Sequence, residues 1–333
     1  MRILVTGGAG RVGPAVVERL AARGDDLTVI GRTPGSSVRA GRYVRCDITD
    51  FDSLLSAARG MDAVVHLAAI PGPGVASSEE TFRINCSGTF NVFEASARAG
   101  VRRVVCASSI NAVGFNFGVR AFPVPYLPVD EEFPRFTTDP YSFSKQVTER
   151  IAAYFWKRDG ISGVCLRIPW VAPAQHSEKK EVLDYAAKCR ASLEALMALP
   201  AAEVRTRIAG WIALRDRARA ERLTEKPFDP KHQYAPPDIL VTARTDFYTR
   251  IDERDAALAV ERGLISEYEG SHVLFANDSH NVTGLPSETL ARLFFPEAEV
   301  RSAALAGTAS LVSTEKARRL IGFAPEHSVG RWY

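Results

Sequence analysis

The chain predicts a doubly wound, parallel α/β sheet, and three observations carry that prediction. An apolar run, Arg2–Thr6, leads through Gly7-Gly8-Ala9-Gly10-Arg11-Val12-Gly13 into a helical pattern at Val16, Val17, Leu20 and Ala21. Short apolar runs recur at 27–30, 43–46, 63–67 and 103–106, with helical stretches between most of them. Strands alternating with helices indicate parallel pairing, because a parallel pair needs a crossover long enough to hold a helix. The length of 333 residues, 46% of them hydrophobic, is enough for that sheet and a second, smaller lobe.

The first segment reads strand, glycine turn, helix. Gly7 permits the tight turn, Gly10 lets a pyrophosphate approach the backbone, and Gly13 lets helix and strand pack closely, so a dinucleotide is the expected ligand. The second strand ends at Gly31-Arg32. A carboxylate at this point would hold the adenosine ribose hydroxyls of NAD, and none is present. Arg32 suits a 2′-phosphate, with Arg11 in the glycine turn to assist. The other reading stacks Arg32 on the adenine, which either cofactor allows. The expected cofactor is therefore NADP or NAD, with NADP favoured.

The alternation continues through 43–46 into Asp47-Ile48 and a helix over 52–58. The strand at 63–67 runs into Ala68-Ala69-Ile70-Pro71-Gly72, and one long helix over 79–99 carries Asn85. The strand at 103–106 ends in Ala107-Ser108-Ser109. Ligands of such sheets gather at the carboxyl ends of the strands, which puts Ser109 on the edge where chemistry occurs; a turn-capping serine is the alternative.

The stretch Asp139-Pro140-Tyr141-Ser142-Phe143-Ser144-Lys145 is read as the chemical centre. Pro140 suits the first turn of a helix and Asp139 its cap. Tyr141 and Lys145, four apart, share one helical face. An ammonium close to a phenol favours the phenolate and lowers its pKa from about 10, which makes Tyr141 a general acid/base. This is the one Tyr-x-x-x-Lys in the chain, and Lys145 is its first lysine. A packed tyrosine beside a solvated lysine is the bland alternative.

Beyond 173 the pattern changes to long helices at 178–198 and 201–225. The second carries Arg205, Arg207, Arg215, Arg217, Arg219 and Arg222 among Glu203, Asp216 and Glu221. This reads first as a solvated, salt-bridged face, and second as a lid or oligomer contact with one arginine for a carboxylate or phosphate. A proline-rich loop covers 227–237, and a helix over 256–262 returns to the first lobe. The expected division is a dinucleotide-binding domain at 1–170, rejoined by 238–263. A substrate lobe of 171–237 and 264–333 includes the helical insertion 178–226.

The net charge of +3 argues against nucleic acid or a membrane surface as partner, and no apolar run approaches the 18 or so residues of a membrane span. Met1 leads almost directly into a strand, leaving no room for a leader. Cys46, Cys86, Cys106, Cys165 and Cys189 lack Cys-x-x-Cys spacing and read as reduced thiols of a cytoplasmic protein. His272, His280 and His327 stand alone without metal-ligand spacing, so no metal is expected.

Taken in order, these residues resemble the extended short-chain dehydrogenase/reductase family, the NAD-dependent epimerase/dehydratase branch with a Rossmann first domain. The resemblance rests on Thr6 through Gly13, Asp47-Ile48, His66-Leu67-Ala68-Ala69 and Asn85 in Asn-Cys-Ser-Gly-Thr-Phe-Asn-Val. It continues with Ser108-Ser109 before Val113-Gly114, Tyr141-Ser-Phe-Ser-Lys145 and Leu166-Arg167-Ile168-Pro169. It implies that Tyr141 is the acid/base, that Lys145 bonds the nicotinamide ribose and depresses the tyrosine pKa, and that Ser109 holds the substrate oxygen. Asp47 and Ile48 would border the adenine. Leu67, Ala68 and Ala69 would line the cofactor channel with Val12 and Ile168, and Asn85 would support the lysine side. Pro71, Asn111 and Pro169 would meet the substrate.

Sugar-nucleotide members carry an Asn shortly after the Leu-Arg pair, where this chain has Ile168-Pro169-Trp170-Val171-Ala172-Pro173. A Tyr is replaced by Val113. Both departures, with the run 108–115 and the closing Phe323-Ala-Pro-Glu-His327-Ser, point to the uronate dehydrogenase-like members, which oxidise a free sugar acid. The implied activity is hydride transfer between nicotinamide and a hydroxyl or carbonyl of a small sugar-like or other polar substrate. The alternatives are a nucleotide-sugar epimerase or dehydratase with tightly held NAD(P), and a non-catalytic NAD(P) sensor. A homodimer is expected from the relatives.

Overall fold

The computed structural model describes residues 1–33, 38–174, 176–223 and 238–328, with the side chains of all but 176–183. Strand β1 (Arg2–Thr6) enters helix α1 (Gly13–Ala22), followed by β2 (Asp26–Gly31), β3 (Arg42–Arg45), α2 (Phe51–Ala58) and β4 (Ala63–His66). Next come α3 (Ser78–Phe82), a π-helical turn (Arg83–Gly88), α4 (Thr89–Arg98), β5 (Arg103–Ser109) and a 3₁₀ turn (Ile110–Val113). Short β6 (Tyr126–Leu127) precedes α5 (Pro140–Asp159), β7 (Ser162–Ile168) and β8 (Val171–Ala172).

The second half holds α6 (His176–Met197), α7 (Ala201–Ala220), α8 (Ile239–Arg244), β9 (Ile251–Asp252), α9 (Glu253–Ile265) and β10 (Ser271–Phe275). The chain then passes through α10 (Ser287–Phe294), β11 (Glu299–Val300) and α11 (Glu315–Ile321).

Seven parallel strands form the main sheet in the order β10-β7-β5-β4-β1-β2-β3. Ile3, Val5, Val29, Val64, Val65, Val104, Val105 and Val164 are fully buried, as branched residues are in strands covered on both faces. One face carries α1, α9 and α11, and the other α2, α4 and α5. The strand order reverses between β1 and β4, the crevice where doubly wound sheets bind ligands at the carboxyl ends.

A second apolar cluster joins residues 110–133 to α6, α7, α8 and α10, with Phe115, Phe247 and Phe295 mutually in contact. Here the observed division departs from the expected one. Leu240, Val241, Ala243, Phe247 and Tyr248 pack in this second cluster, so only the stretch from Ile251 through α9 rejoins the sheet. Conversely, β10 pairs with β7 as the edge strand of the main sheet, and α11 packs on its core, although 264–333 was assigned to the substrate lobe. A five-residue strand needs a partner for its backbone, and β7 offers its open edge.

Two helical expectations also change. The helix expected over 79–99 is interrupted by the π turn. Its widened ring leaves the Asn85 carbonyl to accept from Thr89 Oγ1 at 2.6 Å and from Thr148 Oγ1 at 3.5 Å. Helix α7 stops at Ala220, and Arg222 two residues later takes a left-handed φ of 57°. The proline-rich loop at 227–237 lies outside the described residues. Among the described residues no helix is long and apolar enough to cross a membrane.

Candidate active site

The glycine turn closes the carboxyl end of β1. Gly7 has φ +73°, and a Cβ there would sit 2.6 Å from the Ala68 nitrogen, so the turn and the loop after β4 touch at the switch point. A Cβ on Gly13 would lie 2.3 Å from the Gly8 carbonyl oxygen. A Cβ on Gly10 would meet only the Gly7 oxygen, at 3.2 Å, which leaves that glycine's face open to an approaching group. The N-cap of α1 is Val12, with no side chain bonded to the helix's first N–H groups. Aspartate side chains fill the same position on α2, α5 and α9. An open backbone cradle in front of an unfilled helix N-terminus fits the pyrophosphate of a dinucleotide.

Helix α5 begins as its sequence demands, with the Asp139 carboxylate accepting from Ser142 N at 2.7 Å and Pro140 in the first turn. It places Tyr141 and Lys145, both buried, beneath the carboxyl end of β5. Ser109 neighbours the Tyr141 phenol and favours its ionised form, and Ser109 Oγ accepts from Asn111 N at 3.1 Å. Lys145 Nζ donates to the Ala107 carbonyl at 3.0 Å and lies 5.9 Å from the centre of the Tyr141 ring.

The electrostatics differ from expectation. Burial pushes the Tyr141 phenol up to about 12; neighbouring Ser109 opposes this, and Asp139 and Asp246 reinforce it. Lys145 is not among the groups that oppose this, and burial pulls its own ammonium below the ordinary lysine value. In the chain by itself Tyr141 is a protonated phenol.

The surrounding polar groups are satisfied in detail. Asn85 accepts from Ile70 N at 2.7 Å and donates to Ile70 O at 3.1 Å and Ser144 Oγ at 3.0 Å. Both its amide hydrogens are thus used, and it fixes the β4 loop and the residue beside Lys145. His66 lies between Thr6 Oγ1 at 2.8 Å and Thr89 Oγ1 at 2.9 Å, and burial pulls its imidazole down to about 3.

Glu149, one turn beyond Lys145, binds Arg167 at 2.8 and 2.9 Å and accepts from Ser108 Oγ at 2.8 Å. Arg135 adds a contact at 3.3 Å. Sequence reasoning missed Glu149. The available signal was a buried-strand arginine, Arg167, that requires a carboxylate, and an acidic residue four after the lysine on the same helical face.

The other expected site residues spread along the carboxyl edge. Leu67, Ala68 and Ala69 are half-buried after β4, Pro71 is exposed, and Asn111 is half-buried beside Ser109. Ile168 and Pro169 are buried at the end of β7, next to exposed Trp170. Ile48 is buried against Gly88, and the Asp47 carboxylate accepts from Thr49 N and Oγ1 at 2.9 and 2.8 Å. Arg32 is exposed after β2, with no carboxylate of the described residues within 4 Å. Arg11 does not join it: its guanidinium lies 5.6 Å over Trp170, on the β7 side of the turn, and Arg250 lies 5.5 Å over the same indole.

His327 joins Asp255 and Glu326 within 4.8 Å, but the Asp255 carboxylate already accepts the backbone N–H groups of both. A cavity of about 1050 Å³ opens between α7 and α10, lined by Val204, Ile208, Ile212, Leu293 and Phe295 among others, and includes none of these site residues.

Comparison with known proteins agrees with this fold. Residues 3–220 match the NAD dependent epimerase/dehydratase family. L-arabinose 1-dehydrogenase (NAD(P)(+)) of Haloferax volcanii is 35% identical over 185 residues, covering 54% of this chain and 70% of that protein. Uronate dehydrogenase of Pseudomonas putida is 30% identical over 170 residues, covering 50% and 60%. A short-chain dehydrogenase/reductase superfamily protein from Agrobacterium tumefaciens, solved with bound NAD, superposes with a TM-score of 0.65 at 23% identity over 99% of this chain and 94% of that one. That last likeness shows the fold. The chain belongs to the NAD dependent epimerase/dehydratase family, and it is a nicotinamide-dependent oxidoreductase of the extended short-chain dehydrogenase/reductase type.

Proposed function

We propose that the protein interconverts a secondary hydroxyl and a carbonyl on a small, free, polyhydroxylated substrate of the sugar or sugar-acid class. The observation that carries this reading is the buried Tyr141–Ser109 pair, placed at the carboxyl edge beside the open glycine cradle. The nicotinamide cofactor, when bound, supplies the hydride acceptor or donor. In the oxidising direction Tyr141 Oη, as the phenolate, takes the hydroxyl proton as the C–O bond becomes C=O. In reduction it returns that proton, the role for which its protonated state prepares it. Ser109 Oγ shares the same oxygen and steadies the charge that develops there.

Gly7, Gly10, Val12 and Gly13 would hold the pyrophosphate, Asp47 and Ile48 the adenine end, and Lys145 the nicotinamide ribose. Arg32, exposed and without a carboxylate within reach among the described residues, supports NADP over NAD as the preferred form. A free substrate is favoured over a nucleotide sugar because exposed Trp170, flanked by Arg11 and Arg250, follows Pro169 in the stretch where the sugar-nucleotide members have an Asn. The relatives that act on arabinose and uronate point the same way. The five free, buried cysteines support a cytoplasmic setting.

A homodimer is supported by Phe82, Phe90, Phe143 and Tyr154. These are 40–47% exposed and stack in two pairs across α3, α4 and α5. Light scattering that gives a monomer mass would refute that part. The main test follows absorbance in the reduced-nicotinamide band with NAD or NADP and a panel of aldoses, polyols and uronic acids. Growth of the band in steady state establishes the dehydrogenase and its cofactor. Silence, with cofactor co-purifying, replaces it by the epimerase or dehydratase reading.

A further inference from the structure

The helical insertion reaches the active site through its arginines. Arg215 and Arg219 are buried on α7, against the expectation of a wholly solvated face, which Arg205, Arg207 and Arg217 do fit. Arg219 Nη2 donates to the Phe115 carbonyl and, at 3.5 Å, to the Phe117 carbonyl. Arg215 Nη2 donates to Asn116 O at 3.2 Å and to Asn116 Oδ1 at 2.9 Å. Asn116 Nδ2 in turn donates to Asp246 at 2.9 Å. Three consecutive carbonyls, 115–117, are therefore gripped by two guanidiniums from one helix. The strap is fixed at both ends as well: Phe136 N donates to Val113 O at 3.2 Å, and Val119 N donates to Thr138 Oγ1 at 2.9 Å. A Cβ on Gly114 would fall 1.1 Å from the Phe136 oxygen, and one on Gly118 would fall 2.3 Å from Thr138 Oγ1. On its inner side the half-buried Phe117 ring meets Tyr141 edge to face, with centroids 6.2 Å apart and planes at 78°.

We propose that Arg215 and Arg219 are positioning residues, and that α7 acts as a buttress which holds the 115–117 strap so that Phe117 seals and orients the Tyr141 phenol. This deepens the catalytic reading above and rests on it. A planar guanidinium can grip two carbonyls at once, which a point-charge ammonium does less well. With the strap released, water reaches the phenol and its orientation loosens, and misplacement of a reacting group by about 1 Å can cost on the order of a hundredfold in rate.

The test uses the full chain labelled with fluorotyrosine, with the Tyr141 fluorine resonance assigned by its loss in Tyr141→Phe. Arg219→Gln is expected to displace that resonance and to lower kcat about tenfold or more at unchanged cofactor affinity. In the reducing direction, where Tyr141 donates the proton, the alkaline limb of the pH–rate profile should move toward lower pH as the phenol is hydrated. Arg219→Lys should recover part of both, and Arg207→Gln, on the exposed face, should change neither. Should Arg219→Gln fail to fold, Phe117→Ala leaves the arginine grip intact and must displace the same resonance. A resonance unmoved in Arg219→Gln or in Phe117→Ala overturns the proposal. Because the resonance is read without substrate, its result stands apart from a failure to find any sugar that is oxidised.

Discussion

Helices α5 and α7 are each twenty residues long, and each sends charged side chains into buried positions, yet Glu149 of the first and the arginines of the second are held in different ways. On α5 the buried Glu149 faces Arg167 in a two-point ion pair, with Arg135 on the same carboxylate at 3.3 Å. On α7 the buried Arg215 and Arg219 face carbonyl oxygens. Among the described residues the carboxylate paired with Arg219 is that of Asp216, 3.6 Å away and 40% exposed. Burial and the neighbouring Arg215 pull Arg219 down to about 10. An ion pair fixes two side chains to each other, whereas a guanidinium on carbonyls fixes a stretch of backbone. The first device stiffens the sheet beneath Lys145. The second shapes a loop, which is what an insertion must do if it is to influence a site built by another lobe.

The sharpest way to break this comparison is at the catalytic end of α5. Tyr141→Phe is expected to lower turnover by about 10²–10⁴-fold while cofactor affinity, followed by fluorescence titration, stays within twofold or so. A variant with full activity removes Tyr141 from the chemistry and leaves α5 a purely structural helix. Next in size is Glu149→Ala, which strands Arg167 in the β7 strand. A loss of about 3–5 kcal/mol in denaturant unfolding is expected, larger than for any exposed pair such as Arg207–Glu203. An equal, small loss for both would show that the buried pair stabilises nothing.

His66 gives a pH test of the same floor. Its folded imidazole titrates near 3 and an unfolded one near 6.5, so below 6.5 only the unfolded chain takes up the proton. Stability should therefore be full above pH 6.5 and fall as the pH drops toward 3, by a few kcal/mol for this group. In His66→Gln the slope of stability against pH in that window should be shallower by one proton; an unchanged slope would place the acid sensitivity elsewhere. For the cofactor, Arg32→Ala should weaken NADP about tenfold more than NAD, as loss of one charge-assisted phosphate contact does. Equal weakening returns Arg32 to stacking on the adenine. The smallest effect is Asp139→Ala, where loss of one N-cap is worth about 1 kcal/mol in thermal or denaturant unfolding.

The legibility of the two helices in the sequence follows from the same contrast. Asp139, Pro140, Tyr141 and Lys145 act over a few residues of one helix, so spacing alone places them. The glycine turn is equally local, and its strand and helix lie where the apolar runs put them. The grip of Arg215 and Arg219 joins residues about a hundred apart, and nothing in their spacing separates them from Arg205 or Arg217. The raised Tyr141 pKa was hidden for a related reason. Burial depends on the whole fold, and it sets the direction of the shift beside the one lysine whose position the sequence does reveal. The edge strand β10 was misplaced because five apolar-leaning residues fit either lobe, and the choice is made by the open side of β7.

The π turn at Arg83–Gly88 carries an arithmetic consequence. A regular helix advances about 100° per residue, so the extra residue held in that wide turn resets the phase of everything before it relative to α4. Asn85 meets Ile70 and Ser144 only in this phase. Removing one residue from the turn would keep the helix intact and its composition almost unchanged. It would also rotate Asn85 roughly a quarter of a circle away from α5. The brace beside Lys145 thus depends on a count of residues as much as on which residue occupies position 85.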